Sequence, residues 1–468
     1  MKTKSPSSLL QDEETIVAII TPPGEGGISA LRLCGRRSLF VLTKHFQTAK
    51  REASIEFQPF LMKFGHFIDK HGNEIDEILA VFMPRGHSYT GEEQVEIFCH
   101  GGSQAAQKIL NSLIESGARA AEPGEFTKLA FLSGRIDLSK AEAVAELIRA
   151  STEKSYDVAK EHLLGGYSVV IESLRQKLIE LIAEVEASID FPEEEISPDD
   201  KKQLLNALAV IESQINQLIL SYNGGRIINE GYRVAICGRP NAGKSSLFNL
   251  LLRQQRALVT PTPGTTRDYL SEWIDLGGYA VNLIDTAGLR TGGGAIEKAG
   301  QSSARKIMKQ SDLILWMIDL PQKNWQKLLE LDMKSEFHNN VLLVGNKIDR
   351  TKQNQATSNE IKERHILPIS CVTKIGIEKL KKALLNRISQ SLPDLTSGQI
   401  VTSARHLQKL KDSMKSMKSA ENNLNKDASP ELIAFDLRRA AEALAEITGR
   451  IYNDDILGQI FSKFCIGK

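Results

Sequence analysis

The stretch YRVAICGRPNAGKSSLFNLLL, residues 232–252, decides the fold of the middle of the chain. Its first residues are apolar and β-branched, which predicts a strand, and its last residues have the spacing of an amphipathic helix. Between them, Gly238–Ser245 fits the pattern G-x-x-x-x-G-K-[ST]. Glycines let backbone N–H groups surround phosphates, and the helix N-terminus adds positive potential. The stretch therefore predicts a nucleoside triphosphate site in which Lys244 reaches the β- and γ-phosphates and Ser245 binds Mg²⁺.

A second motif identifies the base. Asn346–Asp349 reads NKID and follows the apolar run VLLVG. A carboxylate at Asp349 accepts hydrogen bonds from N1–H and N2–H of guanine, a pair of donors that adenine lacks. Between the two motifs, Asp285–Gly288 reads DTAG and offers an aspartate for the Mg²⁺ shell and a glycine N–H for the γ-phosphate. The predicted GTP-binding residues are Asn241, Ala242, Gly243, Lys244, Ser245, Ser246, Thr260, Thr265, Thr266, Asp285, Thr286, Ala287, Gly288, Asn346, Lys347, Asp349, Ser370, Cys371 and Val372.

The residue after DTAG departs from the usual pattern. Ras-like GTPases carry a glutamine there that orients the attacking water, whereas this chain has Leu289. An aliphatic side chain cannot orient water, so we expect catalytic help from elsewhere. Asn241 and the segment TPTPGTTRD, residues 260–268, offer hard oxygen ligands suited to Mg²⁺ and alkali ions. A bound K⁺ would supply the charge that an arginine finger otherwise brings. The alternative is a plain switch loop in which only Thr266 contacts Mg²⁺.

The segments on either side of these motifs differ in pattern. Residues 15–120 mix β-branched runs with Gly/Pro punctuation, which predicts strands and helices together. Residues 139–191 and 200–220 carry Leu, Ile and Ala at heptad-like spacing, which predicts a helical bundle closed by Gly224–Gly225. Strands and helices then alternate as in a doubly wound α/β domain, and the rest of the chain is again helical.

This order predicts an α/β domain inserted between two halves of a helical domain, with three sequential domains as the alternative. The length of 468 residues fits several domains, because a single core stops growing beyond about 250–300 residues. The fold class is therefore multidomain, α+β and α/β. The predicted domains are 1–130, mixed α and β; 131–225, helical; 226–384, α/β; and 385–468, helical.

Composition excludes some classes of protein. Lys and Arg total 59 against 58 Asp and Glu, a net charge of +1, so no global field marks a nucleic-acid partner. A local basic face is the alternative that this balance leaves open. No apolar run reaches the roughly 18 residues of a transmembrane helix, and the first residues lack the apolar core of a signal peptide. The five cysteines are scattered without a CxxC, as is typical of reduced thiols. We expect a cytoplasmic protein with no membrane partner.

Five segments carry a more specific pattern than any single motif. They are TIVAIITPPGEGGISALRL, YTGEEQVEIFCHGG, EPGEFTKLAFLSGRIDLSKAEAVAELI, GRPNAGKSSLFN with PGTTRD, and FSKFCIGK. In these segments, and over nearly its whole length, the chain resembles the MnmE (TrmE) family of tRNA-modification GTPases. The phosphate loop and NKxD occur in many GTPases, whereas the N-terminal segments and the terminal Cys-Ile-Gly-Lys are far more specific.

The resemblance implies an N-terminal α/β domain that binds folate and dimerises, a helical bundle domain and an inserted Ras-like P-loop G domain. It also implies a homodimer that binds K⁺ and pairs its G domains across the nucleotides. With an FAD-dependent partner, MnmG (GidA), in a heterotetramer, family members install an aminomethyl or carboxymethylaminomethyl group. The site is C5 of the wobble uridine of certain tRNAs. The one-carbon unit is expected from 5-formyl-tetrahydrofolate or a related folate.

The family's motifs imply site residues at matching positions. K⁺ ligands fall on Asn241, Thr260, Thr262 and Thr265, and Mg²⁺ ligands on Ser245 and Thr266. The water-positioning glutamate falls on Glu297, which joins Lys244 as a catalytic residue and would replace the missing glutamine.

The folate-binding residues fall on Arg32, Glu96, Arg135 and Lys468. Some members have lysine where this chain has Arg135, which keeps the charge but not the geometry. Cys465 fits the family's terminal cysteine, a catalytic nucleophile; a free cysteine without function is the alternative.

Two other classes of GTPase are alternatives to a modification enzyme. A regulatory or ribosome-assembly GTPase usually carries an RNA-binding module such as a KH domain, and no GXXG loop follows the α/β segment. A membrane-remodelling GTPase needs an amphipathic membrane-facing segment, whereas packing in a bundle accounts for the amphipathic C-terminal helices.

Overall fold

The computed structural model of the chain describes residues 14–48, 55–190, 197–254, 270–286, 305–333, 340–351, 355–392 and 399–468. The strands are β1 Ile16–Ile19, β2 Ile28–Cys34, β3 Phe46–Gln47, β4 Lys63–Ile68, β5 Glu74–Met83, β6 Gln94–His100, β7 Arg119–Ala120, β8 Tyr232–Gly238, β9 Leu270–Leu276, β10 Tyr279–Asp285, β11 Leu313–Asp319, β12 Val341–Asn346 and β13 Leu367–Pro368.

The helices are α1 Ser38–Thr43, α2 Ser103–Glu115, α3 Glu125–Leu132, α4 Leu138–Arg149, α5 Glu153–Leu164, α6 Gly166–Asp190, α7 Pro198–Glu230, α8 Lys244–Gln254, α9 Trp325–Met333, α10 Gln355–Glu363, α11 Ile377–Gln390, α12 Ala404–Asn425, α13 Pro430–Thr448 and α14 Asp454–Phe461. Residues 305–310 are also helical. The chain divides into two compact units, one formed by Met1–Ala145 with Ala445–Lys468 and the other by Glu146–Leu444. Among the described helices, none is both long enough and apolar enough to cross a bilayer.

The first unit is built on a seven-stranded sheet in the order β3-β4-β5-β6-β2-β1-β7. Its strands pair antiparallel except for β1 and β7, which are parallel. The helix α2 carries Ala106, Ile109 and Leu113 on one face, the spacing of an amphipathic helix, and buries that face on the sheet. Leu31 and Ile97 from the sheet complete this core.

The end of the chain belongs to this unit. In α14 and the turn after it, Phe461 and Phe464 are buried with Phe131 and Leu138 in one apolar cluster. The main-chain N–H of Gly124 donates to the carbonyl oxygen of Cys465 at 3.4 Å. The residues at both ends of the described chain therefore contribute to one compact unit.

The second unit contains a six-stranded sheet in the order β13-β12-β11-β8-β10-β9, parallel except for β9. The central strand β8 is buried on both faces: Val234 and Ile236 belong to one apolar cluster, Ala235 and Cys237 to the opposite one. Such continuous apolar strands are typical of parallel sheets covered by helices. The carboxyl ends of β8, β10, β11 and β12 therefore lie at one edge, where ligands bind in open α/β folds.

The helices around this sheet show how the α/β part is inserted. The glycine pair Gly224–Gly225, expected to end the helix, instead lies inside α7, so that prediction is wrong. The reason is a close approach: a Cβ on Gly225 would lie 2.2 Å from the carbonyl oxygen of Val401. The N–H of Val401 also donates to Oγ of Ser221 at 2.9 Å. The chain thus enters and leaves the α/β part at one place. The predicted multidomain class with an inserted P-loop domain is confirmed.

Candidate functional site

The phosphate loop between β8 and α8 turns through three residues with positive φ: Gly238 at 137°, Asn241 at 62° and Gly243 at 96°. A Cβ on Gly238 would lie 2.4 Å from the carbonyl oxygen of Met317, and one on Gly243 would lie 2.2 Å from Nδ2 of Asn346. Only glycine is free of strain at such angles and avoids both clashes. The two motif glycines are therefore required by the packing of the loop as well as by access to phosphates.

The two polar side chains at the start of α8 already have partners. Lys244 is only 7% exposed, and its Nζ donates to the carbonyl oxygens of Gly238 at 3.1 Å and Arg239 at 3.0 Å. The hydroxyl of Ser245 donates to Oδ2 of Asp285 at 2.7 Å. The structure thus brings together an ammonium, a hydroxyl and a carboxylate that the sequence predicted separately, a set that suits a metal-bound phosphate.

Asn346 connects three segments of the site, a role that the sequence did not indicate. Its side chain is buried, and its Nδ2 donates to the carbonyl oxygen of Ala242 in the phosphate loop at 2.9 Å. Its Oδ1 accepts from the N–H groups of Lys347 at 2.8 Å and Cys371 at 3.3 Å. One side chain therefore fixes the phosphate loop against both segments predicted to hold the base.

These segments line one open cleft of about 820 Å³, at the large end of the usual range for small-molecule sites. Lys347 has a φ of 64°, and its Nζ lies 2.6 Å from Oδ2 of Asp319, which holds the NKxD turn. Ser370 is fully buried, whereas Val372 is exposed. The lining residues are Pro240, Asn241, Gly243, Lys244, Ser245, Ser246, Asn346, Lys347, Asp349, Arg350, Ser370, Cys371 and Val372. Pro240 and Arg350 were not predicted.

Other predicted nucleotide residues lie away from the cleft or beyond the described ranges. The hydroxyl of Thr286 donates to the carbonyl oxygen of Ile236 at 2.9 Å, so this buried side chain anchors the DTAG segment to β8. The predicted residues outside the described ranges are Thr260, Thr262, Thr265, Thr266, Ala287, Gly288, Leu289 and Glu297.

In the first unit, the structure pairs two of the predicted folate residues. Arg32 and Glu96 are cross-strand neighbours on β2 and β6, and Nε and Nη2 of Arg32 both donate to Oε1 of Glu96, at 3.0 and 2.8 Å. Gln94 donates to the same oxygen at 3.0 Å. The guanidinium also lies over the rings of Tyr89 and Phe126, 5.1 and 5.4 Å from their centroids. The largely buried Arg32–Glu96 ion pair thus lies beside the rings of Tyr89 and Phe126.

The chain end meets the same region. The N–H of Phe126 donates to the main-chain oxygen of Lys468 at 3.1 Å, and a Cβ on Gly467 would lie 2.5 Å from the carbonyl oxygen of Ile19. Arg135 instead donates to the carbonyl oxygen of Gly86 at 2.7 Å. Arg32 and Glu96 are therefore linked directly, and Lys468 is linked to Arg32 through Phe126. Arg135 instead secures the loop that contains Gly86.

The environments of the cysteines predict an order of alkylation. Burial raises the pKa of Cys371 to about 11, so only about one molecule in a thousand carries the thiolate at pH 8. Cys465 is exposed, and iodoacetamide at pH 8 should modify it long before Cys371. Raising the pH to 10 should accelerate modification of Cys371, and GDP with Mg²⁺ should suppress it, as measured by peptide mass spectrometry. Labelling of Cys371 that is indifferent to GDP would contradict its place in the nucleotide cleft.

Comparison with known proteins gives consistent results. A family model described as "MnmE helical domain" matches residues 138–465, and one described as "GTP-binding protein TrmE N-terminus" matches residues 15–135. A protein of Aquifex aeolicus (strain VF5) named "tRNA modification GTPase MnmE" is 41% identical over 460 residues, 97% of this chain and 100% of that protein. One of the same name from Thermoanaerobacter sp. (strain X514) is 39% identical over 459 residues, 97% of this chain and 99% of that protein. Among solved structures, the G domain of the T. maritima FeoB iron transporter is 29% identical, covering 34% of this chain and 98% of its own, with a TM-score of 0.26.

Proposed function

Because the chain belongs to the MnmE (TrmE) family of tRNA modification GTPases, we propose that its GTP hydrolysis is stimulated by K⁺ and drives modification of the wobble uridine. The protein is a GTPase that acts in tRNA modification. An FAD-dependent partner of the MnmG (GidA) type joins it in a heterotetramer. Together they add an aminomethyl or carboxymethylaminomethyl group at C5 of the uridine in certain tRNAs.

The observation that carries the GTPase part of this proposal is the cleft in which the segments proposed to hold phosphate and guanine meet. Asn346 fixes the two segments against each other, and its hydrogen bonds set the spacing between the proposed base and phosphate positions. Such pre-organisation is what a phosphoryl-transfer site requires, because catalysis rests on positioning and charge. Asp349 at the same cleft supplies the carboxylate that selects guanine.

The residues at the cleft fit the two cations. The Ser245 hydroxyl next to Asp285 offers hard oxygens for Mg²⁺, with Thr266 as the second proposed ligand. Asn241 lies exposed at the cleft with its left-handed backbone, and would hold K⁺ together with Thr260, Thr262 and Thr265. Mg²⁺ and K⁺ supply positive charge to the phosphates, and Glu297 would orient the attacking water in place of the missing glutamine.

The first unit is the proposed site of the one-carbon donor. Arg32, Glu96, Arg135 and Lys468 would bind 5-formyl-tetrahydrofolate or a related folate in a homodimer. The Arg32–Glu96 pair supports this, since a pterin offers N–H donors to a carboxylate and a flat face to Tyr89. Cys465 follows α14, and its carbonyl oxygen accepts from the N–H of Gly124, two residues before Phe126. Its side chain is exposed, as a nucleophile for this chemistry requires.

The K⁺ proposal predicts a cation-specific rate. GTP hydrolysis by the full-length protein should be at least about tenfold faster in KCl than in NaCl at equal ionic strength, because Na⁺ is too small for the same oxygen ligands. Phosphate release measures the rate, and GDP affinity measured in both salts controls for nucleotide binding. Equal rates in the two salts would refute the K⁺ site.

The modification proposal predicts a change in tRNA itself. In a strain that lacks the protein, the C5 substituent of the wobble uridine should disappear from digested tRNA nucleosides, and expression of the intact gene should restore it. A Lys244→Ala variant should fail to restore it, because the reaction depends on GTP turnover. Unchanged nucleosides in the deletion strain would instead favour a regulatory or ribosome-assembly GTPase.

A further inference from the structure

One ion pair reaches the phosphate loop from outside the recognised motifs. Nε of Arg239 donates to Oδ2 of Asp332 at 3.0 Å, and its Nη2 donates to Oδ1 at 2.9 Å. The two bonds are parallel and charge-assisted, the strongest geometry available to an arginine and a carboxylate. Asp332 is on α9, and its side chain is only 17% exposed.

The position of Arg239 affects the phosphate loop through its main chain. Its carbonyl oxygen is one of the two acceptors of Lys244 Nζ, at 3.0 Å. Two residues later Asn241 takes its left-handed conformation, with φ at 62°. The loop has no regular secondary structure to hold these atoms, so whatever anchors Arg239 also influences Lys244 and Asn241.

The anchor belongs to a packed helix. The helix α9 buries Trp325 and Leu329 in the apolar cluster of one sheet face, where Trp316 of β11 also lies. Packing of this kind fixes the helix independently of the phosphate loop. Asp332 lies in the last turn of this packed helix, and Arg239 connects the phosphate loop to it.

We propose that Asp332 is a positioning residue of the GTPase site. Its carboxylate holds Arg239, and this keeps the loop in the form in which Lys244 faces the phosphates and Asn241 faces the cation. The effect on the cation rests on the proposed K⁺ function, whereas the effect on nucleotide affinity does not.

The test is Asp332→Asn in the full-length protein, a change that keeps size but removes the charge and one acceptor. Affinity for a fluorescent GDP analogue, measured with Mg²⁺ and without K⁺, should weaken about five- to tenfold. The KM for GTP should rise by a similar factor while kcat at saturation stays within about twofold. The K⁺ concentration for half-maximal hydrolysis should rise as well.

The matched control is Glu330→Gln. Glu330 is on the same helix and pairs with Arg364 at 2.8 Å, away from the phosphate loop. Glu330→Gln should leave GDP affinity, KM and the K⁺ dependence unchanged. Asp332→Glu, which restores a carboxylate at position 332, should bind GDP more tightly than Asp332→Asn. Arg239→Lys, which keeps the charge but cannot form two parallel bonds, should act in the same direction as Asp332→Asn.

Two outcomes separate this proposal from the proposed function. If Asp332→Asn lowers the melting temperature but leaves GDP affinity and KM equal to those of Glu330→Gln, the pair only stabilises the fold and the proposal is overturned. If the unsubstituted protein shows no K⁺ stimulation, the K⁺ function fails, yet the GDP measurement still decides the role of Asp332.

Discussion

Asp349→Asn is expected to lower the affinity for GDP about a thousandfold and to raise the affinity for xanthosine diphosphate. The carboxylate lines the cleft, and in the proposed function it accepts from N1–H and N2–H of guanine. An amide would place its own N–H₂ against one of these donors. That N–H₂ and the guanine donor facing it are then both left without an acceptor, which is costly in a site built for hydrogen bonding. Xanthine carries a carbonyl oxygen at C2, which accepts from that N–H₂.

The measurement is displacement of a fluorescent GDP analogue by GDP and by xanthosine diphosphate. Glu378→Gln is a control for loss of one negative charge, because its side chain is 78% exposed and pairs with Lys381 on α11. A variant that loses both purine nucleotides equally would show that Asp349 does not read the base edge.

Asn346→Ala should abolish measurable nucleotide binding, a loss of at least a hundredfold, and also lower the free energy of unfolding by about 2–3 kcal/mol. The substitution leaves the buried carbonyl oxygen of Ala242 and the N–H of Cys371 without their partner. The phosphate loop and the base segments then lose their fixed spacing. Both effects come from these two hydrogen bonds and a third, which Asn346 Oδ1 accepts from the N–H of Lys347.

The free energy of unfolding is measured by urea denaturation, and binding by the same displacement assay. Asn340→Ala is the matched control, because Asn340 is exposed at the opposite end of β12 and donates to Asp312. Normal GDP affinity in Asn346→Ala would contradict a connecting role for this side chain.

The sequence predicts the nucleotide motifs well because phosphates and guanine impose fixed residue types at fixed spacing. Lys244, Ser245 and Asp349 were predicted this way, and the structure places all three along one cleft. Local patterns also predict the amphipathic helices and the buried central strands. The predictions for Thr260 and Glu297 concern residues outside the described ranges and stay predictions.

Contacts between distant segments were not predictable from one sequence. The Arg239–Asp332 pair joins residues 93 positions apart, and nothing in the local composition of α9 marks Asp332 among its charged neighbours. The contact of Cys465 with Gly124 joins the end of the chain to a segment far back in the sequence, so no periodicity signals it. Gly225 was misjudged for the same reason: glycine usually ends a helix, but here it makes room for another main chain.

The close approach of Gly225 and Val401 has an architectural consequence. When the two ends of an inserted domain touch, the host polypeptide closes no large loop, and the entropic cost of carrying the insertion is small. Because the two connections lie side by side, we expect that a short glycine–serine bridge between them would keep the surrounding bundle continuous. The α/β part therefore joins the helical part where these two main chains meet, and Lys154 of α5, which lies over the ring of Tyr279 on β10, adds a second contact between them.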